Sequence, residues 1–586
     1  MVSLRVPVLR RTTLLRYALV AVLVLFTVRL FYLQVIRHDY YANRAYQTQV
    51  SKLTIVPERG RVFALDGESI VPLVLNETVY TAFADPSEIE NQNAIIEAIR
   101  SIAGGTVVSG FENQLDSKTL RYVVMAKNLT RTQAEKLRTK DLAGVGLQKG
   151  SRRVYPESQL ASQVLGYVND ERQGQYGIEG KLQERLEGKA GLLQTVTDVR
   201  QIPLTIGDDE TSRAARNGDD IVLTIDRNIQ QKAEELLKNG LARAQATRGS
   251  VIVMDPNNGR VMAMANYPTY DPRNYNKVED YRLFSNGIVS DPYEVGSVMK
   301  VLSMGAGLDS GAVTANSTYN NTGAVQVDDR VIKNVEEDPI FPGTTMTDVL
   351  HYSLNTGVVY VLQQMGGGMI NKTARDTLYD YYKNHYRFGK VTGIEQAGET
   401  PGIIISPDDP DGPNVRYANM TFGQGMNITM VQTVAAFSAA MNGGTYYQPT
   451  VVQGVLGADK KLKEQAPNVI ARNVLSPSNS ETLREMTYQG RKQGFFGNVD
   501  PSGYRVGGKT GTSQVIDPVT RQYSDDNSIG SYLGFGGTDT PRYVIMVRVD
   551  DSKLRTGYAG TVAAGPIFND LSNWLLQYLE IPPKNE

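Results

Sequence analysis

The hydrophobic positions of this chain predict its elements almost from end to end. From Tyr17 to Val28 the run Tyr-Ala-Leu-Val-Ala-Val-Leu-Val-Leu-Phe-Thr-Val carries no charge. Extended to Ile36 it reaches roughly 20 residues, enough to cross a bilayer as a helix. A buried soluble helix or a cleaved signal peptide are the other readings, but no convincing small-residue cleavage site follows. Arg29 interrupts the run, and its stem could snorkel to the interface or pair with a partner helix. Residues 37–50 read as a helix continuing outward. Residues 51–216 mix strand-like runs with a polar helical stretch near 131–138, and 205–218, rich in Asp, Gly, Arg and Asn, reads as a linker. Beyond it Asp220 to Asp226 is an apolar strand and Arg227 to Arg243 a helix. Ser250 to Asp255 and Gly259 to Ala265 flank Pro-Asn-Asn as a hairpin. Ser531 to Gly536 and Tyr543 to Val549 are late strands, and a closing helix runs from about Ala563 to Leu579. Strands at both ends with a helical middle predict an antiparallel sheet covered by helices.

At 586 residues the chain is too long for one ordinary core. Charged residues are 21% and the net charge is −1, so nothing points to nucleic acid or to a polybasic membrane surface. There is no cysteine, hence no disulfide or thiolate chemistry. With His38, His351 and His385 the only histidines, a serine–histidine triad has few candidates and a histidine-rich metal site is disfavoured. His351 and His385 read as ordinary polar residues, and Tyr379, Tyr381, Tyr382 and Tyr386 as a packed helix face.

The chemistry concentrates in three stretches. Ser297 precedes Lys300 by three residues, which on a helix puts both side chains on one face. A buried lysine of lowered pKa could take the serine's proton. Ser353-Leu-Asn355 follows, which alone reads more often as a turn or cap. Val506-Gly-Gly-Lys-Thr-Gly-Thr512 reads as an edge strand stripped of side chains by glycine, where a peptide could be added as a further strand. Ser-x-x-Lys, Ser-x-Asn and Lys-Thr-Gly in this order resemble the motif set of penicillin-binding proteins and serine β-lactamases. Further patches, Pro57-Glu-Arg-Gly-Arg-Val-Phe-Ala-Leu-Asp-Gly67, then Arg153-Val-Tyr-Pro156, Gly166-Tyr-Val168, Gly177-Ile-Glu-Gly180 and Leu186-Glu-Gly188, read as turns and strand ends fixed by glycine and proline and resemble the three pedestal patches of class B penicillin-binding proteins; overall the chain is most similar to the division-specific, FtsI-like branch.

The resemblance implies an α+β fold. Its parts would be a cytoplasmic tail over 1–13, one transmembrane helix over 14–36, an extended pedestal over 37–216 and a β-lactamase-like transpeptidase domain over 217–586. It implies a D,D-transpeptidase crosslinking stem peptides during septal wall synthesis through a serine acyl-enzyme. Ser297 would be the nucleophile and Lys300 its base. Ser353 would relay a proton, and Asn355 would bind the substrate amide and orient Lys300. Lys509, Thr510, Gly511 and Thr512 would bind the terminal carboxylate, and the backbone N–H groups of Ser297 and Thr512 would form the oxyanion hole. Gly423-Gln-Gly425 would support the site from beneath. No cofactor or metal is implied. Implied partners are stem peptides ending in D-Ala-D-Ala as donors, amine acceptors, β-lactams, the membrane, a polytopic glycosyltransferase of the SEDS (FtsW-like) type with Arg29 as its candidate contact, and other division proteins. The N-terminus would be cytoplasmic, from its positive charge, and the catalytic part outside. No wall-binding module is expected after the closing helix. Val295 stands where the family usually has proline, and Ser513 where alanine is common. An elongation-specific transpeptidase, a carboxypeptidase or β-lactamase, and a non-catalytic scaffold or β-lactam sensor remain competing readings. Against hydrolysis stands the lack of a deacylating glutamate, and against a sensor the shortness of the tail.

Overall fold

The computed structural model describes residues 11–41, 44, 50–196, 212–335, 338–494, 496–516, 523–554 and 558–584. The chain groups into two compact units, one holding the residues up to Glu58 with Glu187–Gly218, the other Arg59–Leu186 with Asp219–Glu586.

The first unit contains the N-terminal helix Arg11–Phe31, which continues through a wider turn at Tyr32–Ile36. Its apolar side chains face outward on every side, with Leu25 72% and Phe26 65% exposed. Uniform apolarity over this length makes the helix long and apolar enough to cross a membrane. The expected continuation over 37–50 is helical at 38–41, while 42, 43 and 45–49, like the tail 1–10, lie outside the described residues. Strand Val50–Ile55 pairs with Gly191–Val196, which pairs with Ser212–Arg213. The stretch expected as a linker over 205–218 is therefore partly sheet: 205–211 lie outside the described residues, but from Ser212 the backbone is paired, and a polar sequence suffices because pairing uses main-chain groups.

In the second unit, strand Asp220–Asp226 lies between Val62–Asp66, parallel to it, and Val452–Leu456, antiparallel to it. Among the described residues this makes a seven-stranded sheet shared by the region after Arg59 and the C-terminal region. The three pedestal-like patches meet beside it. Arg59 of the first patch donates to Glu179 of the third at 2.8 Å, and Arg153 of the second donates to the other oxygen of Glu179 at 2.9 Å. All three side chains are buried. Asn76 closes the cluster, accepting from Arg153 and donating to the Arg59 carbonyl. Glycines and prolines at these patches shape turns, as expected, but the charged residues between them bind the turns together.

The C-terminal region is built on helix α1 (Arg227–Ala244), strands β1 (Arg248–Met254) and β2 (Val261–Tyr267), and strands β3 (Arg505–Ile516), β4 (Tyr523–Gly537) and β5 (Pro541–Asp550). Among the described residues the strands form one antiparallel sheet in the order β2-β1-β5-β4-β3, leaving β3 at the edge. Side chains alternate between its faces. Val251, Val253, Ile545 and Val547 pack with α1 and the closing helix Gly565–Tyr578. Ile252, Met254, Leu533 and Met546 pack on the other face with a group of buried helices. Both faces are covered, which is why these strands read as unbroken apolar runs. In this region the α+β fold and the expected strands, hairpin and helices are present; of the helix expected over 37–50, 38–41 is helical among the described residues, and Val50 opens a strand instead.

Glu179 neutralises two buried guanidinium groups, so removing it leaves both charges buried without their counter-charge. Glu179→Ala should destabilise the protein by about 3–5 kcal/mol, read as a lower unfolding temperature of the full-length protein in detergent. An unchanged transition would show that the cluster is only a surface-like pairing.

Candidate active site

Ser297 lies in a tight turn, Gly296–Val298, that runs into helix α2 (Met299–Asp309). Met299 to Leu308 are all buried, so α2 is a central core helix. Lys300, in its first turn, is only 1% exposed. The three-residue spacing survives the change from tight turn to α-helix, since both repeat close to every third residue. Tyr382 and Tyr386, on the packed tyrosine face, brace α2 from outside: the Tyr382 hydroxyl meets Ser303 Oγ at 2.7 Å, and Tyr386 donates to the Leu302 carbonyl at 2.9 Å.

The turn that carries Ser297 is seated by backbone against backbone. Gly296, at φ +64°, donates its N–H to the Gly423 carbonyl at 3.2 Å. A Cβ on Gly296 would lie 2.7 Å from the Thr512 carbonyl oxygen, and one on Gly423 would lie 2.2 Å from that of Gly296. Both glycines are therefore required by space as well as by φ. Gly511, expected in substrate binding, has a packing role: its Cβ would meet the Val295 carbonyl at 2.8 Å. Val295 itself holds φ −75°, close to the angle a proline would impose, so this departure from the family pattern leaves the turn intact.

Ser353 joins helices α3 (Met346–His351) and α4 (Asn355–Met365). It adopts a left-handed φ of +62°, a strained conformation for a non-glycine residue. Leu354, fully buried, donates its N–H to the Val349 carbonyl and pins the junction. The stretch is thus both a turn and part of the site. The Lys300 amine donates to Ser353 Oγ at 3.1 Å and to the Ser353 carbonyl. Orientation of Lys300 comes from Ser353 and not, as expected, from Asn355. Asn355 is the first residue of α4, and its amide donates to the Lys333 carbonyl at 2.8 Å.

On β3, opposite Leu533 in the sheet register, Lys509 is 6% exposed and donates to the Thr510 carbonyl and hydroxyl at 3.2 and 3.3 Å. Thr512 Oγ1 accepts from the Gly560 N–H at 3.2 Å. Ser297, Lys300, Ser353, Asn355, Lys509, Thr510 and Thr512 all line one cavity of about 760 Å3. Burial pushes Lys300 well down, the charge of Lys509 pushes it further, and Asp338 opposes both. Burial lowers Lys509 to about 8, again against Asp338. The cavity thus holds a serine hydroxyl, an amine that favours its neutral form, and a second amine, lowered to about 8, on an edge strand.

The chain matches the family profile of the penicillin binding protein transpeptidase domain over residues 249–573, and that of the penicillin-binding protein dimerisation domain over 54–223. It belongs to the class B penicillin-binding proteins. This penicillin-binding protein is 28% identical to Stage V sporulation protein D of Bacillus subtilis, over 96% of this chain and 85% of that one. It is 27% identical to the peptidoglycan D,D-transpeptidase FtsI homolog of Mesostigma viride, over 95% and 93%. Its fold matches that of penicillin binding protein 2X from Streptococcus thermophilus, with a TM-score of 0.71 at 21% identity, over 90% of this chain and 80% of that one.

Two residues of the cavity wall in this penicillin-binding protein escape sequence reasoning. His351, read as an ordinary polar residue, lines the cavity with its Nδ1 on the Gly490 carbonyl at 3.1 Å. Asp338 comes from a loop whose acidic composition resembles any solvated loop. The two buried lysines should titrate separately. In 13C NMR of protein labelled at lysine Cε, Lys509 is expected to titrate near about 8, with Lys300 releasing its proton first. Two lysines titrating in the ordinary range would refute the dry site.

Proposed function

We propose that this protein is a peptidoglycan D,D-transpeptidase acting through an acyl-enzyme on Ser297, in wall synthesis at the septum. The observation that carries the reading is the state of Lys300. It is buried, one turn from Ser297, and its N–H groups are engaged by Ser353. A neutral amine that donates two N–H bonds keeps its lone pair, which is the base a serine hydroxyl needs.

Ser297 Oγ attacks the penultimate D-alanine carbonyl while Lys300 takes its proton. The backbone N–H groups of Ser297 and Thr512 stabilise the oxyanion, an effect worth about 3–4 kcal/mol per donor in such sites. The bond to the terminal D-alanine breaks, and its nitrogen receives a proton from Lys300 through Ser353. Lys509 with Thr510 and Thr512 holds the terminal carboxylate, a cation and hydroxyls on an anion. An acceptor amine then attacks the ester and loses its proton to Lys300, which passes it to Ser297 Oγ as the ester bond breaks, restoring the serine hydroxyl and the neutral amine. A β-lactam would acylate the same serine. The relatives' names support the transpeptidase reaction, and one of them, an FtsI homolog, favours the septal role over an elongation role.

We propose that the catalytic part, 217–586, lies outside the cytoplasmic membrane, that 37–216 serve as the pedestal, and that the N-terminal helix is a single-pass anchor with residues 1–13 in the cytoplasm. A membrane-embedded glycosyltransferase is the partner that would supply glycan strands. Arg29, whose guanidinium lies over the Tyr32 ring at 5.6 Å, is its proposed contact. Undiminished co-purification of that partner with an Arg29→Leu variant would remove Arg29 from this role.

Fluorescent penicillin should label the full-length protein stably. Ser297→Ala should abolish labelling and Lys300→Ala should slow it by about a hundred- to ten-thousandfold. Labelling that survives Ser297→Ala would overturn the reading. Because Lys300 must be neutral and Lys509 charged, the acylation rate should fall on the acid side as Lys300 is protonated, and fall again as pH rises through about 8 and Lys509 loses its proton.

A further inference from the structure

Helix α4 starts without a cap of its own. The residue at its N-cap position is Leu354, whose side chain has no oxygen and is fully buried at the junction with α3. The first turn of a helix leaves N–H groups without partners inside the helix. One of them is met here from another part of the chain: the Thr356 N–H donates to Asn334 Oδ1 at 2.9 Å. Asn334 directly follows a two-stranded hairpin, in which Ala324–Val327 pairs with Arg330–Lys333. The carbonyl of Lys333, the residue before it, accepts from the Asn355 side-chain amide at 2.8 Å. Two neighbouring residues at the end of the hairpin therefore hold the first two residues of α4, one by its side chain and one by its main chain.

Asn334 is itself fixed. Its N–H donates to the Gly323 carbonyl at 2.9 Å, and its Nδ2 donates to Asn321 Oδ1 at 3.0 Å. Asn321 is 1% exposed. It also accepts from the Gly323 N–H at 3.1 Å and from the Thr356 hydroxyl at 3.3 Å, and it donates to the Pro339 carbonyl at 2.9 Å. The Tyr319 hydroxyl meets Thr356 Oγ1 at 2.9 Å. Every amide oxygen and nitrogen of the two asparagine side chains has a partner, and a buried network so satisfied is rigid. What it holds is the turn in which Ser353 sits at φ +62°. Such a strained residue persists only where its surroundings over-determine it. Ser353 in turn accepts from the Lys300 amine, through Oγ at 3.1 Å and through its carbonyl.

We propose that Asn334 is a positioning residue for the transfer reaction: by capping α4 from outside the helix it holds the Ser353-Leu-Asn355 turn and, through Ser353, the amine of Lys300. The inference rests on the acyl-transfer reading of the cavity. Asn334 stands outside the described lining of that cavity, so it acts through the turn and not on a reacting group.

Asn334→Ala removes the cap. Asn334→Asp keeps an oxygen for the Thr356 N–H and gives up the donor to Asn321. Acylation would be followed on the full-length protein at saturating fluorescent penicillin, with Ser297→Ala as blank. Loss of the cap should slow Asn334→Ala about tenfold, with the final amount of label unchanged, and Asn334→Asp should regain most of the rate. A merely structural role would lower the amount of label and leave the rate at the parent value. That result, or equal slowing in both variants, overturns the inference. Hydrogen exchange at the Thr356 amide, read by mass spectrometry, needs no reaction. It should be faster in Asn334→Ala and close to the parent in Asn334→Asp, and unchanged exchange in the alanine variant also overturns the inference. If exchange responds as expected while the parent shows no Ser297-dependent labelling, the hold on the turn stands and the acyl-transfer reading fails.

Discussion

The site depends first on a contact between backbones. Gly423, Gly296 and the strand carrying Thr512 approach so closely that a single methyl group at either glycine would overlap a carbonyl oxygen. Gly560 continues the stack on the far side, where a Cβ would lie 2.3 Å from the Gly511 carbonyl. Main chain packed on main chain has no rotamers to relax. It fixes the distance from Ser297 to the edge strand with a precision that side-chain packing does not supply, and displacements of about 1 Å are enough to cost two orders of magnitude in rate. Everything else in the cavity is arranged around that fixed separation.

The second constraint is electrostatic, and it opposes stability. Lys300 belongs to a helix buried from Met299 to Leu308, and Lys509 lines the same cavity. Two buried amines near each other disfavour the doubly charged state, so the folded protein gives up part of the stability that an apolar pair would provide. The left-handed Ser353 adds a local strain of about 1–3 kcal/mol. These are held in place by the large core on both faces of the sheet, and by the tyrosines that brace α2.

Most of the site was legible because its chemistry is local in sequence. Ser297 and Lys300 are three residues apart, and Lys509 lies in a run whose glycines mark a close approach whatever the fold. The apolar strands and the closing helix were legible because burial on both faces writes continuous hydrophobic runs. Asn355 shows the limit: the motif names the residue, but which of two adjacent polar groups turns toward Lys300 depends on the αL kink at Ser353, which has no signature at a serine. Gly511 is similar, since a glycine needed for packing and one needed for substrate look alike in a sequence. Asp338 and His351 belong to the site only because loops distant in the chain converge, and nothing in their neighbours distinguishes them from solvated polar residues. Arg59, Arg153 and Glu179 lie between the two cases. Their patches stood out by their glycines and prolines, yet the ion pairs that join them appear only once the chain is folded.

The parallel pairing of Val62–Asp66 with Asp220–Asp226 joins segments 159 residues apart, as the hydrogen bond from Arg61 to Asp220 spans. The chain is made N-terminus first, at about 5–20 residues per second. The earlier strand therefore waits roughly ten to thirty seconds for its neighbour, and the strand on the neighbour's other side, Val452–Leu456, comes later still. During that interval the strand is paired on one side only, with Ser69–Ala84, and its other edge stays open. That open edge is where this architecture is exposed to wrong pairing while the chain is being made, more than anywhere in the finished fold.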